Sequence, residues 1–300
     1  MYKSISSNVR FTWVLLLIFA IFVIGLGYVF SLVFNSDLIL VLAVLIAFGQ
    51  AFVSYYYSDK IALFAAHARE TKRSEYLELH RIVENISITA GQPQPKIYVI
   101  DDPSPNAFAT GRDPKYSSLA VTTGLLKKLN KTELEGVISH ELSHIGNYDI
   151  RLMSLVVVLV GVIALISDWF LRYSIWGSRD SDNRDSGWLF LVGIILAILA
   201  PLSVTLIQLA ISRRREYLAD ATGALITRYP EGLASALEKI SNDSSNTVLR
   251  NRATAHLFIS DPFRSDKKTP PSGGESWFQV VFSTHPPIRE RVKRLREMIH

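Results

Sequence analysis

Four long stretches of this chain are nearly free of charge: residues 11–34, 38–57, 152–170 and 188–211. Each is close to the about 20 residues a helix needs to cross the hydrocarbon core of a bilayer. The third carries only Asp168 near its end, and the fourth is interrupted by Pro201, which membrane helices tolerate. One such stretch could be buried as a core helix, but four in 300 residues leave too little polar chain to cover them. The fold class expected is a mainly α integral membrane protein with four spanning helices. The first stretch is too long for a signal-peptide core, and no small-residue cleavage site precedes the second, so it is expected to stay as an anchor.

Basic residues set the orientation. Lys3 and Arg10 precede the first span, Lys60, Arg69, Lys72 and Arg73 follow the second, Lys131 and Arg151 precede the third, and Arg213, Arg214, Arg215 and Arg228 follow the fourth. On the opposite side the first loop has no Lys or Arg, and in the second Arg172, Arg179 and Arg184 are balanced by Asp180, Asp182 and Asp185. The positive-inside rule then puts both termini in the cytosol of a multi-pass protein of the cell membrane. The net charge of +5 is accounted for by these flanks, so no nucleic-acid partner is needed. There is no cysteine, which excludes disulfides and thiolate metal ligands.

This division leaves two cytosolic parts, 58–151 and 212–300, flanking the span pair 152–211, with residues 1–57 as the first pair. Residues 96–100 (KIYVI) and 118–122 read as strands, with Asn106–Gly111 between turn signals and a third strand possible there. A small sheet of this kind has an edge to which an extended peptide can add. The stretch Thr132–Tyr148 then reads as a helix, with Thr132 and Glu135 in a capping-box pattern and Gly146 and Asn147 interrupting it. It contains His140, Glu141 and His144, an H-E-x-x-H arrangement. Residues four apart share a helix face, so both imidazoles can reach one metal ion. Glu141, beside that face, can take a proton from an attacking water.

Two histidines do not complete a catalytic zinc site, which usually takes three protein ligands. Downstream candidates are Asp149, Glu216, His256 and His285. A metzincin would need Gly at 147 and His at 150, where this chain has Asn and Ile. Nothing in 211–220 breaks a helix, so span four is expected to run on into the cytosol and carry Glu216, with Asp220 one turn further to orient a histidine. Glu216 is the preferred third ligand. Residues 230–240 read as an amphipathic helix, 241–276 as a long loop, and 283–291 as the lead into a basic C-terminal helix.

The segments N-A-F-A-T-G (106–111), H-E-L-S-H (140–144), R-R-E-Y-L-A-D (214–220) and S-T-H-P-P-I-R-E-R (283–291), in this order, resemble the HtpX heat-shock membrane metalloproteases, relatives of the CAAX prenyl proteases. The similarity extends over essentially the whole chain. It implies a gluzincin-type α+β catalytic domain holding one zinc ion on His140, His144 and Glu216, with Asp220 behind a ligand. Glu141 would be the general base. Asn106 and the following Ala107, Phe108 and Ala109 would meet the substrate backbone, and His285 and Arg291, with Arg289 nearby, would stabilise the oxyanion or orient substrate. The function implied is a stress-linked endopeptidase acting on protein substrates, mainly membrane proteins, at the cytosolic face of the lipid bilayer. A specific CAAX-type processing protease is the alternative among enzymes, although four spans make a large intramembrane chamber a poor fit. A non-catalytic scaffold with a structural metal site is a third reading, against which stands Glu141, since a structural site needs no base between its histidines.

Overall fold

In the computed structural model, residues 2–33, 35–177, 213–243 and 286–298 are described. Two long helices open the chain, α1 (Tyr2–Val33) and α2 (Asp37–Ala65). Over Ser6–Leu32 and Asp37–Ala65 they are long and apolar enough to cross a membrane. Large apolar side chains on both, among them Leu17, Ile21, Leu45 and Phe48, are left exposed, as a lipid solvent permits and water does not. The third apolar stretch lies in α6 (Asp149–Gly177), and counting it with the helix before it as one bent span raises the number of candidate spans to three. The fourth stretch, 188–211, lies outside the described residues. α2 runs past the expected end of its span, and α1 and α6 pack together through Leu15, Leu16, Phe19, Leu152, Leu155 and Val156.

Between the helix pairs lies a four-stranded mixed sheet of β1 (Arg69–Glu70), β2 (Lys96–Ile100), β3 (Ala107–Asp113) and β4 (Tyr116–Thr122), in the order β1-β2-β4-β3. β2 pairs with β4 in parallel; β1–β2 and β3–β4 are antiparallel. Side chains of a strand alternate between faces, and here both faces are covered. Ile97, Val99, Ala107, Ala109, Leu119 and Val121 join the main core with α3 (Leu77–Ala90) and the helices described next. Ile100, Phe108 and Ala120 face the other way, onto Ala62, Leu63 and Ala66 of α2 and Met153 and Val157 of α6. The sheet thus joins the layer of α3 to the long apolar helices α2 and α6.

A short α4 (Thr123–Lys128) leads into α5 (Lys131–Gly146), the helix of the histidine motif. Its N-terminus differs from the Thr132–Glu135 box expected. Asn130 is the cap: its side chain accepts from the Glu133 N–H at 3.0 Å, and Glu133 Oε2 accepts from the Asn130 N–H at 2.9 Å. Lys239 adds an ion pair to Glu133 at 2.8 Å, so a tertiary contact supports this choice over the later box. α5 is buried almost throughout, enclosed by the sheet, α3, α7 (Arg213–Thr227) and α8 (Pro230–Ser241). α9 (Ile288–Glu297) closes the layer against α7 and α8. At the far end of α5 the chain turns by 84° into α6. Tyr148 makes that elbow in the left-handed region, at φ 60, a conformation costly for a residue with a side chain.

Candidate metal centre

Four elements converge on one buried point. From α5, His140 and His144 bring their Nε2 atoms to 3.2 Å of each other. From α7, Glu216 sets Oε1 3.5 Å from His144 Nε2 and Oε2 3.9 Å from His140 Nε2. Ligand atoms of these three residues all lie within 4.8 Å of one another, a group that could hold a metal ion. α7 can come this close because residue 223 is glycine; a Cβ there would lie 3.0 Å from the His140 backbone nitrogen and 3.1 Å from Ser139 Oγ.

Each histidine has a carboxylate at its other nitrogen. His144 Nδ1 is 3.0 Å from Asp149 Oδ2, at the start of α6. His140 Nδ1 is 3.0 Å from Asp220 Oδ1, although the two atoms are not aligned as a hydrogen bond. Asp149, weighed above as a ligand, is thus a partner of His144, because the elbow turns its side chain back onto the helix it follows. Carboxylates in these positions fix ring orientation and raise ligand basicity. Burial lowers the pKa of His144, but the Asp149 bond and the charges of Glu216, Asp149 and Glu141 outweigh it and raise it to about 9.

Arg291 comes in from α9 with 0% exposure. Its Nε and Nη2 donate to the two oxygens of Asp220 at 2.8 and 2.7 Å, and Nη1 lies 3.6 Å from Glu216 Oε2. A planar guanidinium gripping a carboxylate twice is the strong form of this contact. Burial works against the charge of Asp220, yet Arg291 and His140 bring its pKa down to about 2. Arg289 is exposed, so of the two arginines only Arg291 reaches the centre. His256 and His285 fall outside the described residues.

Glu141 points to the edge strand, where its Oε2 accepts from the Ala109 N–H at 2.9 Å. Asn106 and Thr122 bond backbone to backbone, with Thr122 N donating to Asn106 O at 2.9 Å. Antiparallel pairs alternate, so Ala107, Ala109 and Gly111 turn their N–H groups to the outer edge. Along that edge Ala107 N donates to Asn106 Oδ1, Ala109 N to Glu141 and Gly111 N to Ser154 Oγ of α6. Phe108, grouped with Asn106, Ala107 and Ala109 in the sequence, is placed differently. Its side chain lies on the membrane-helix face of the sheet, and its backbone pairs with β4.

A family model described as Peptidase family M48 matches residues 73–299. The chain is also 45% identical over 305 residues to a protease HtpX homolog of Caldanaerobacter subterraneus, covering 99% of this chain and 98% of that protein. A protease HtpX homolog of Pyrococcus abyssi is 46% identical over 290 residues, covering 96% and 94%. The chain belongs to peptidase family M48, among the HtpX proteases. It is a membrane-bound metalloprotease. Among solved structures, that of S. mikatae Ste24p overlays with a TM-score of 0.49 at 18% identity, covering 98% of this chain and 67% of the other.

For this M48 protease the donor set suits zinc: two imidazoles and one carboxylate, no thiolate, and a carboxylate at the far nitrogen of each ring. Three contributors to the centre escaped the sequence reading. Asn8 of α1 donates to Asp149 Oδ1 at 2.6 Å and to the Asn147 carbonyl at 3.0 Å. Ser154 holds the edge strand, with Thr110 Oγ1 at 2.6 Å, and Gly223 admits α7. None has a local signature, because each matters only through a segment distant in sequence.

Proposed function

We infer that the chain is a zinc endopeptidase of the H-E-x-x-H gluzincin type, with His140, His144 and Glu216 as ligands and Glu141 as general base. The observation that carries this is the meeting of those three ligand side chains beside Glu141 and the edge strand β3. Zinc in such a site lowers the pKa of a water to about 7 and polarises the peptide carbonyl. The chain's own residues do the rest. Glu141 takes a proton from the attacking water as the new O–C bond forms, then delivers it to the leaving nitrogen as the C–N bond breaks. A substrate strand lies along β3, taking the Ala107 and Ala109 backbone groups and the Asn106 amide, and Glu141 exchanges the Ala109 N–H for the reacting water. Asp149 and Asp220 hold the rings, and Arg291 holds Asp220. His285, which the family resemblance implies, would supply charge near the oxyanion.

The substrates inferred are membrane proteins and misfolded chains cut at the cytosolic face, in protein quality control. Depth supports this. From Asp37 to Tyr55, α2 rises about 27 Å at 1.5 Å per residue, close to the hydrocarbon thickness of about 30 Å. At that level Trp13 stacks on Tyr55, Arg112 lies over Tyr56 and Tyr116, and Arg151 over Tyr55 and Tyr148, an aromatic and cationic belt of interfacial type. Phe108, next to the Ala109 that Glu141 touches, packs on α2 at Ala62–Ala66, about two turns further out. The reacting edge is therefore on the order of 10 Å from the membrane surface.

The test compares zinc content and peptide cleavage of the purified wild-type chain with Glu141→Ala. Full zinc with activity lower by about 10²–10⁴-fold is expected. A variant that binds zinc and cleaves as fast as wild type would remove the mechanism.

A further inference from the structure

We propose that Asn8, on the first membrane helix, is a positioning residue of the metal centre. The inference rests on the zinc ligands proposed above, and its readout is metal affinity rather than cleavage. Asn8 lies at the start of α1, just before the apolar stretch, where an amide would ordinarily meet water. It is buried instead, 4% exposed. One nitrogen, Nδ2, spends both its hydrogens on the elbow after the histidine helix: to the Asn147 carbonyl at 3.0 Å and to Asp149 Oδ1 at 2.6 Å. The other oxygen of Asp149 meets His144 Nδ1 at 3.0 Å. A single chain of contacts therefore runs from α1 through Asp149 to a zinc ligand.

The division of labour on Asp149 makes the role specific. With Oδ1 held by Asn8, the carboxylate cannot rotate about its axis, and Oδ2 is presented to the imidazole. Arg215 Nε forms a longer ion pair with the same Oδ1 at 3.7 Å, beyond hydrogen-bond range, so the directional contact is the amide's. The contact to the Asn147 carbonyl fixes the end of α5, where the backbone enters the left-handed Tyr148. Asn8 thus sets both the carboxylate and the bend that carries it. The first helix is then part of the metal centre as well as an anchor.

Zinc affinity of the full-length protein, measured by chelator competition, tests this. Partners behind a ligand typically account for 10- to 100-fold in affinity. Asn8→Ser should bind zinc more weakly than wild type, Asn8→Ala weaker still by roughly 10- to 100-fold, and Asn8→Asp weakest, since it sets a carboxylate against Asp149. A residue that only filled space would be replaced without loss by the apolar Asn8→Leu of larger volume, whereas a positioning amide predicts that Leu binds zinc as weakly as Ala. At saturating zinc Asn8→Ala should lower kcat and leave KM of a fluorogenic peptide unchanged. Gly27→Ala is the control: its Cβ would lie 2.1 Å from Ala43 Cβ, so it loosens α1 against α2 far from the elbow, and zinc affinity should not move. Wild-type affinity in Asn8→Ala, an Asp variant tighter than Ala, or an equal loss in Gly27→Ala would each overturn the proposal. If Asn8→Ala is not recovered with a thermal transition, the order of wild type, Ser and Asp decides.

Discussion

A fully buried arginine is the costliest charge the centre holds. Its charge is tolerable only because Asp220 takes it in two hydrogen bonds and Glu216 lies alongside. Removing one side of such a pair strands the other, so Arg291→Met should destabilise the protein by about 3–5 kcal/mol in thermal or denaturant unfolding. Asp220→Asn added to it should cost much less than the sum of the single changes, as coupled neighbours do. The pair also fixes a pH dependence. The pKa of Asp220 is depressed in the folded protein, to about 2 from an ordinary 3.8, so its contribution is present above that ordinary value and lost as pH falls through about 2. The stability gap between wild type and Asp220→Asn, followed by thermal unfolding, should be constant from neutral pH down to about 4 and close toward pH 2. At this scale the H-E-x-x-H residues were legible in the sequence because a helix fixes their geometry. The partners behind them were less so: Asp220 was found by its spacing from Glu216, while Asp149 was found only as a possible ligand.

Among the elements, β3 is the one whose outer edge the proposed mechanism uses. Its hydrogen bonds alternate inward to β4 and outward to side chains, so one substitution can test the outward set. Ala109→Pro deletes the N–H that Glu141 accepts, and proline is tolerated on an edge where that N–H is not part of the ladder. Zinc content should be unchanged while kcat/KM on a peptide falls by roughly 3- to 10-fold, the worth of the one neutral hydrogen bond a substrate strand takes from that N–H. An undiminished kcat/KM would argue against strand addition at this edge. The strand spans 96–100 and 118–122 were visible as alternating apolar runs. The short β1 was not, because two residues carry no periodicity. The cap of α5 moved to Asn130 because Glu133 is gripped by Lys239 of α8, a contact no local window contains.

For the whole molecule, the sheet couples chemistry to membrane. One of its faces packs on α5, and the other on α2 and α6. Inserting one helical turn between Ser212 and Arg213 lengthens the link to the fourth apolar stretch by about 5.4 Å. Cleavage of a membrane-tethered substrate should drop, while hydrolysis of a short soluble peptide persists; equal rates on the tethered substrate would refute placement at the membrane face. The sequence by itself determined the apolar helices α1 and α2, the two-histidine motif with Glu141 between, and the family, since each is written in local spacing or composition. Only the tertiary structure decided that Arg291 clamps Asp220, that Asp149 turns back onto His144, and that Asn8 reaches it from 141 residues away. The reason is physical: a buried polar group must find a partner wherever the packed chain brings one within about 3 Å, and sequence distance has no bearing on that requirement.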